Sequence, residues 1–442
     1  MRAQTVGEAV AQNFTRMAGP QILKPGEGFD VEQLLTPAEA RAAYFAAVTI
    51  APPGVEHVGL ADATGRILAA AAISDADYPA DSRSTMDGFA LVAAGGRSAR
   101  RITGEIRMGH APPGPIAAGE AMRIPTGGVL PPGADAVVPI EDTVESEGRG
   151  GLGPVVVPNE DLEAGENITP PGSDMRPGDC VLDAGRRIGG PELAVLATLG
   201  IVGVPVYRRP RVAIVSTGDE LVDAAAQPGR GQVRDSNRWA LAGSLIALGC
   251  VPVQRPVAVD TPEALTAALR SALDVADAVV LTGGSSVGVR DLTPRVIDGL
   301  GKPGVIVHGL RVKPGKPTVF AMLDGKPVIG LPGNPASSLM ILEAVAAPIF
   351  SRLAGEAAPP ETAIAAVAER KFAGRAGWTW FVPAEIRHAN GRVLASPLLL
   401  RSAHTSLLAR AHGYVVVGPD TPAIAAGDAV AVRRFSGGGR IG

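Results

Sequence analysis

At 442 residues the chain is too long for one hydrophobic core and calls for about three or four domains. Its net charge of −3, with no basic run, argues against nucleic acid as a partner, and two cysteines exclude a disulfide framework. Apolar residues make up 46% of the chain but aromatics only 4%, so its cores must be built from Ala, Val, Leu and Ile.

In chain order, residues 1–35 have weak patterning and read as an extension. Thr36, Pro37 and Glu39 have the spacing of a capping box with proline at the first helical position. From about Pro79 to Glu141 short β-like runs alternate with Gly and Pro, which predicts a small β domain with strands near 88–92, 121–124 and 134–138. Helix returns near 191–199. From 208 onward strand and helix alternate. Strands are expected at 211–215, 251–259 and 277–281, and helices at 236–248, after Thr261-Pro262, and after Asp291. Further strands follow near 304–307, 318–321 and 327–330, then a helix from Asn334-Pro335 to about Leu353. This alternation predicts an open α/β sheet that binds ligands at the carboxyl ends of its strands. Beyond Pro359 short strands suggest a final β domain.

Cys180 and Cys250 lie in no metal-ligand spacing and are expected as packed apolar thiols. No apolar stretch is expected to reach the roughly 18 residues that cross a bilayer; residues 193–207 come nearest and are broken by glycines and Pro205. With no signal-peptide pattern, a cytoplasmic location without membrane partners is expected.

Four loops carry the chemistry: Val215–Glu220, Thr282–Asp291, Lys313-Pro314-Gly315-Lys316-Pro317, and Leu331-Pro332-Gly333-Asn334-Pro335. Glycine backbone can wrap an anion and aim N–H groups at it, lysines neutralise charge, and carboxylates hold a cation. Between Pro205 and Gly355 there are 16 Lys+Arg against 12 Asp+Glu, a local excess of +4 that suits a small anionic ligand. Glu220 and Asp291 could share a divalent cation, or act as helix N-terminal charges. Lys313 and Lys316 suit either a clamp stiffened by Pro314 and Pro317 or a solvated surface. The segment 309–316 is not a P-loop: it is one residue too long, and Pro317 stands where the metal-binding hydroxyl belongs. Gly284-Ser285-Ser286-Val287-Gly288 matches a nucleophile elbow, but Pro294 starts the next helix too late and no histidine completes a triad.

Taken with Ser84–Ala90, Pro125–Asp135 and Gly165–Asp174, these loops resemble the molybdopterin molybdenumtransferase (MoeA) family, related to the C-terminal part of gephyrin. The resemblance covers about residues 36–435. It implies an α/β multidomain fold: an elongated helical part (36–78 and 160–204), a β domain (79–159), an α/β molybdopterin-binding domain (205–355) and a C-terminal β barrel (360–435). It implies a homodimer whose cleft is shared between subunits, and an upstream molybdopterin adenylyltransferase as a possible partner. Its substrates would be molybdate and adenylylated molybdopterin, with AMP released and Mg2+ as cofactor. By the family pattern the catalytic residues are Asp87, Thr126, Glu220, Asp291 and Lys313, with Glu220 and Asp291 also binding the metal. Ser84, Asp174, Thr217, Asp235, Gly283, Gly284, Ser286, Gly288, Lys316, Pro332, Gly333 and Asn334 would bind the pterin and its phosphate; for Asp174 and Asp235 a capping or turn role is the equal alternative. The chain departs from the family at Gly309, often a second lysine, at Thr169, commonly arginine, and at Ser82, usually acidic. A paralog that prefers tungstate or lacks activity, and a gephyrin-like scaffold, are the competing readings.

Overall fold

The runs at 212–215 and 278–281 are apolar without alternation, which suits strands covered on both faces. The computed structural model, which describes residues 30–147, 153–283, 292–357, 362–399 and 405–436, places them mid-sheet. Six strands lie in the order Val251–Gln254, Arg211–Ser216, Ala278–Thr282, Lys326–Leu331, Val319–Leu323, Pro303–His308. The first four are parallel to one another, while Val319–Leu323 runs antiparallel to both its neighbours. Alternation of sheet strand and helix therefore ends after the fourth strand in the chain, Pro303–His308. Asp324 and Gly325, both at positive φ, turn Val319–Leu323 directly into Lys326–Leu331 as a two-residue hairpin.

Alternate residues along each strand feed separate cores. Val212, Ile214, Val280 and Ile329 pack with Leu241 and Leu245 of the helix Asn237–Ala247 and with Tyr44 of Pro37–Ala47. Ala213, Val215, Val279 and Leu281 pack with Leu265 and Leu269 of Pro262–Leu273. The Thr36 capping box forms as expected, and the Thr261 side chain accepts from the Ala264 N–H.

The stretch Pro335–Leu353 corrects the membrane reading. It is long and apolar enough to cross a bilayer by length and composition, more so than residues 193–207, but 78% of it is buried in the protein. It runs as α-helix over Pro335–Ile341 and Ala347–Leu353, with a π turn at Leu342–Ala346 between them. Pro348 explains the turn. It has no N–H for the carbonyl of Ala344, and the register widens just before it. Arg41 donates to that carbonyl at 3.4 Å.

The chain forms two compact units, one comprising Ala71–Asp183 and Ala194–Val202, the other the remainder. The smaller unit holds a curled sheet ordered Ala136–Pro139, Gly88–Leu91, Glu120–Ile124, Arg100–Glu105, Pro154–Pro158, Thr143–Glu147. Gly88 must lack a side chain, because a Cβ there would sit 1.9 Å from the Val138 carbonyl oxygen. Cys180 belongs to this unit and is exposed, contrary to expectation; only Cys250 is buried. Cys180 lies on a two-stranded ribbon opposite Ile73, itself 47% exposed.

In the larger unit, Thr379–Ala389, Arg392–Pro397, Ala363–Ala368, Ala429–Arg433 and Gly413–Val417 close into a five-stranded barrel. Ala384, Val415, Val417 and Val432 fill it. The pair Val312–Lys313 adds to its wall, parallel to Thr379 and Trp380.

Candidate active site at the strand ends

From Arg211–Ser216 the chain goes to the edge strand Val251–Gln254, then crosses to Ala278–Thr282 on the other side. Such a reversal separates the loops leaving adjacent strands and opens a crevice at their carboxyl ends. Thr217 and Gly283 follow the two strands that flank it. The Thr217 N–H donates to the Thr282 carbonyl at 2.8 Å. Gly283 has φ +98°, and a Cβ on it would lie 2.1 Å from the Thr217 carbonyl oxygen. Gly333, beyond the next parallel strand, is close enough that its Cβ would touch Gly283 Cα at 3.4 Å. Three turns thus meet backbone to backbone, which side chains at Gly283 would prevent.

Around them polar groups are left over. The hydroxyls of Ser216, Thr217, Thr282, Thr293 and Ser338, and Asn237 Oδ1, are sequestered without a hydrogen-bond partner among the described residues. Each stands at the end of one of these strands or in the first turns of a following helix. Leaving such a group unpaired costs about 1–3 kcal/mol, so several together mark a place that a polar ligand or ordered water completes. Asn237 also donates Nδ2–H to the Gly333 carbonyl at 2.8 Å, tying its helix to the third turn.

Charged groups stand further out. Glu220 is exposed, and its carboxylate folds back over Gly218. Lys313 is exposed with its ammonium over the Trp380 ring, while Lys316 is half-buried. Pro332 is buried; Gly333 and Asn334 are exposed at the N-terminus of Pro335–Leu353, where the backbone N–H groups favour an anion. Asp235 is buried in a capping role, accepting from the Arg238 N–H at 3.2 Å and from Nε at 2.7 Å. Gly284, Ser286, Gly288 and Asp291 lie outside the described residues, among which no group of three or more His, Cys, Asp or Glu could hold a metal.

The smaller unit builds a different feature. Asp87 is exposed at the turn into Gly88–Leu91, and its Oδ1 accepts from the Thr126 N–H at 2.6 Å and from Thr126 Oγ1 at 2.9 Å. Those bonds, the backbone one foremost, hold the Asp87 carboxyl below the usual aspartate range. The two loops are laced together: the Ser84 N–H donates to Gly128 O, the Gly127 N–H to Ser84 O, and Arg83 to Gly127 O. Ser84 is buried, its hydroxyl donating to Met86 O at 2.6 Å, so it shapes the turn and does not face outward. Asp174 is exposed, its N–H donating to Tyr78 O.

Residues 35–200 match the MoeA N-terminal region (domain I and II), 213–352 a probable molybdopterin binding domain, and 365–435 the MoeA C-terminal region (domain IV). The molybdopterin molybdenumtransferase of Bacillus subtilis is 31% identical over 385 residues, 85% of this chain and 89% of the relative. The chain belongs to this family. That of Haemophilus influenzae is 29% identical, covering 87% of this chain and 95% of its own. Two crystal structures of molybdopterin biosynthesis MoeA protein from Pyrococcus horikoshii each cover 91% of this chain. One is 31% identical at a TM-score of 0.73 and covers 99% of that chain. The other, at 24% identity and a TM-score of 0.78 with 100% of that chain covered, bears on the fold. The chain is accordingly a transferase of molybdenum cofactor biosynthesis.

Within this MoeA family member the sequence reading held Ser216 and Thr282 in its loops without singling them out, and missed Asn237, Thr293 and Ser338. A lone hydroxyl at a strand end or helix start reads equally as a cap, and only the absence of a local partner, visible in the fold, separates the two. One signal was available for Asn237, which opens an amphipathic helix without a hydrophobic reason to be buried.

Proposed function

We propose that the chain inserts molybdate into adenylylated molybdopterin and releases AMP. The observation that carries this is the set of unpartnered buried polar groups around Thr217, Gly283 and Gly333 at the switch point of the sheet. An apolar ligand would leave them unpaired; a pterin with phosphates supplies donors and acceptors for all of them. Gly333, Asn334 and the helix behind them would take a phosphate, and Lys313 and Lys316 would offset its charge. The substrate brings its own thiolates, so a site without cysteine suits the reaction.

Magnesium fits as a cation that takes one or two carboxylates and fills its shell from phosphates and water; Glu220, exposed beside these turns, is such a donor, and Asp291, outside the described residues, is proposed as a second. Bound there, it would neutralise phosphate charge as AMP departs.

In the homodimer that belongs to this reading, Asp87 and Thr126 of one copy act with Glu220 and Lys313 of the other. Asp87 is built for an electrostatic role: it is exposed, ionised and fixed in direction by Thr126. An upstream adenylyltransferase would supply the substrate, and the cytoplasm is the proposed setting. The test is to incubate the purified full-length protein with adenylylated molybdopterin, magnesium and molybdate and to follow AMP. Turnover that depends on molybdate is expected; no AMP above the protein-free rate would end the proposal. Tungstate in parallel reports metal preference.

A further inference from the structure

An ammonium on a four-carbon stem binds an anion well only if something limits where it swings. Lys313 has such a constraint, and it comes from another part of the fold. The strand Val312–Lys313 pairs in parallel with Thr379–Ala389 of the barrel, with Val312 registered to Thr379 and Lys313 to Trp380. Directly registered residues share a face. Val312 and Thr379 are both buried, Val312 in the core that also holds Phe381, so Lys313 and Trp380 share the other face of the strand pair, where Trp380 packs against the barrel core and Lys313 stays exposed. The Lys313 Nζ rests 4.1 Å from the centre of the Trp380 ring, well inside the distance at which a ring face attracts a cation.

The loop around it is held on several sides. The Thr379 N–H donates to Arg311 O at 3.1 Å, the Arg311 N–H to Leu35 O at 2.7 Å, and the Leu310 N–H to Lys316 O at 2.8 Å. Gly315 leaves no room for a Cβ against the Ile341 side chain. With the backbone fixed, the remaining freedom is in the lysine stem, and the indole is what restrains it.

We infer that Trp380 is a positioning residue for substrate binding: its ring holds the Lys313 ammonium ready for a phosphate of the pterin substrate, so the C-terminal barrel contributes to anion recognition. The inference rests on the proposed role of Lys313. It is tested with the full-length protein and adenylylated molybdopterin as probe. Trp380→Leu, which keeps bulk but removes the ring face, should raise KM about two- to fivefold, with a smaller change in kcat. Trp380→Phe, with a weaker ring, should fall between. In a Lys313→Ala background Trp380→Leu should add nothing to KM. The lysine ε-methylene protons of Lys313 should resonate upfield from the indole ring current and lose that shift in Trp380→Leu, which reads the contact without activity. An unchanged KM in Trp380→Leu, beside a clear loss in Lys313→Ala, overturns this inference alone, as does an equal rise in both backgrounds. A silent Lys313→Ala with the ring-current shift intact overturns the role of Lys313, and this inference with it.

Discussion

Two regions carry the candidate chemistry, and they solve opposite problems. The Asp87 turn is complete in itself: its carboxylate is exposed, but both Thr126 donors are committed to Oδ1 and the two loops are tied by backbone bonds. The strand ends near Thr217 are incomplete: their polar groups are buried, yet among the described residues they have no partners. A self-satisfied turn presents a charge in a fixed direction at no further cost. An unsatisfied cluster holds hydrogen-bonding capacity that a ligand would realise. The first suits acting on a bound molecule, and the second suits binding it.

The sharpest way to test the first half is Asp87→Asn. Asparagine keeps an oxygen for the Thr126 donors, so the fold and melting temperature should hold while charge is lost. Cofactor formation should fall by about 10²–10³, as when a fixed electrostatic group leaves a reaction site. Because the Thr126 bonds lower its pKa, any loss of wild-type turnover from protonating Asp87 should come at lower pH than for an ordinary aspartate. In the proposed homodimer, mixing Asp87→Asn with Glu220→Ala, each inactive alone, should restore roughly a quarter of wild-type activity after subunit exchange, because half the dimers would then carry one intact cleft. No recovery in verified mixed dimers would place both residues in one copy's site.

Next in size is Gly283→Ala. A Cβ 2.1 Å from the Thr217 carbonyl oxygen, at φ +98°, forces the turn apart. The cost should be about 2–4 kcal/mol, read as a lower denaturant midpoint with molybdopterin binding lost along with it. Wild-type stability and binding would mean that the three turns need not meet as closely as they do.

How much of this was legible in the sequence follows from how local each cause is. Thr36 with Glu39, Thr261 with Pro262, and the helix expected over 236–248 have local causes, and each forms as read. Asp324-Gly325 was equally local and went unread, which hid the antiparallel strand. Barrel closure and the added strand Val312–Lys313 join residues far apart in the chain, and no periodicity announces them. At the site, glycine and carboxylate positions stood out because few structural roles need them. The orphaned hydroxyls did not, because being orphaned is a property of surroundings. Cys180 was misread for the same reason: a thiol's burial depends on what covers it.

Thr217→Val separates the two regions at smaller amplitude and with opposite signs. Removing an unsatisfied buried hydroxyl while keeping its shape should stabilise the ligand-free protein by about 1 kcal/mol. The same change should weaken molybdopterin binding about tenfold, for want of one hydrogen bond. Stability and affinity moving in the same direction would show that the hydroxyl serves the fold.

The smallest effect concerns a buried polar group that does have partners, the measure against which the orphans are judged. Glu343, in the π turn, accepts from the Ser436 N–H at 2.8 Å and from the Ser244 hydroxyl. Desolvation still outweighs those bonds and raises its pKa. A folded pKa above the unfolded one means the stabilisation is full below the ordinary glutamate value and is lost as pH rises through the folded value. Glu343→Gln cannot ionise and loses nothing over that window. Its melting temperature should therefore track wild type near pH 4 and exceed it toward neutral pH, by on the order of one to a few degrees. A gap that is constant across pH would mean that Glu343 ionises as readily folded as unfolded. Partnered burial would then cost nothing at this position, and the contrast with the unpartnered groups at the strand ends would widen.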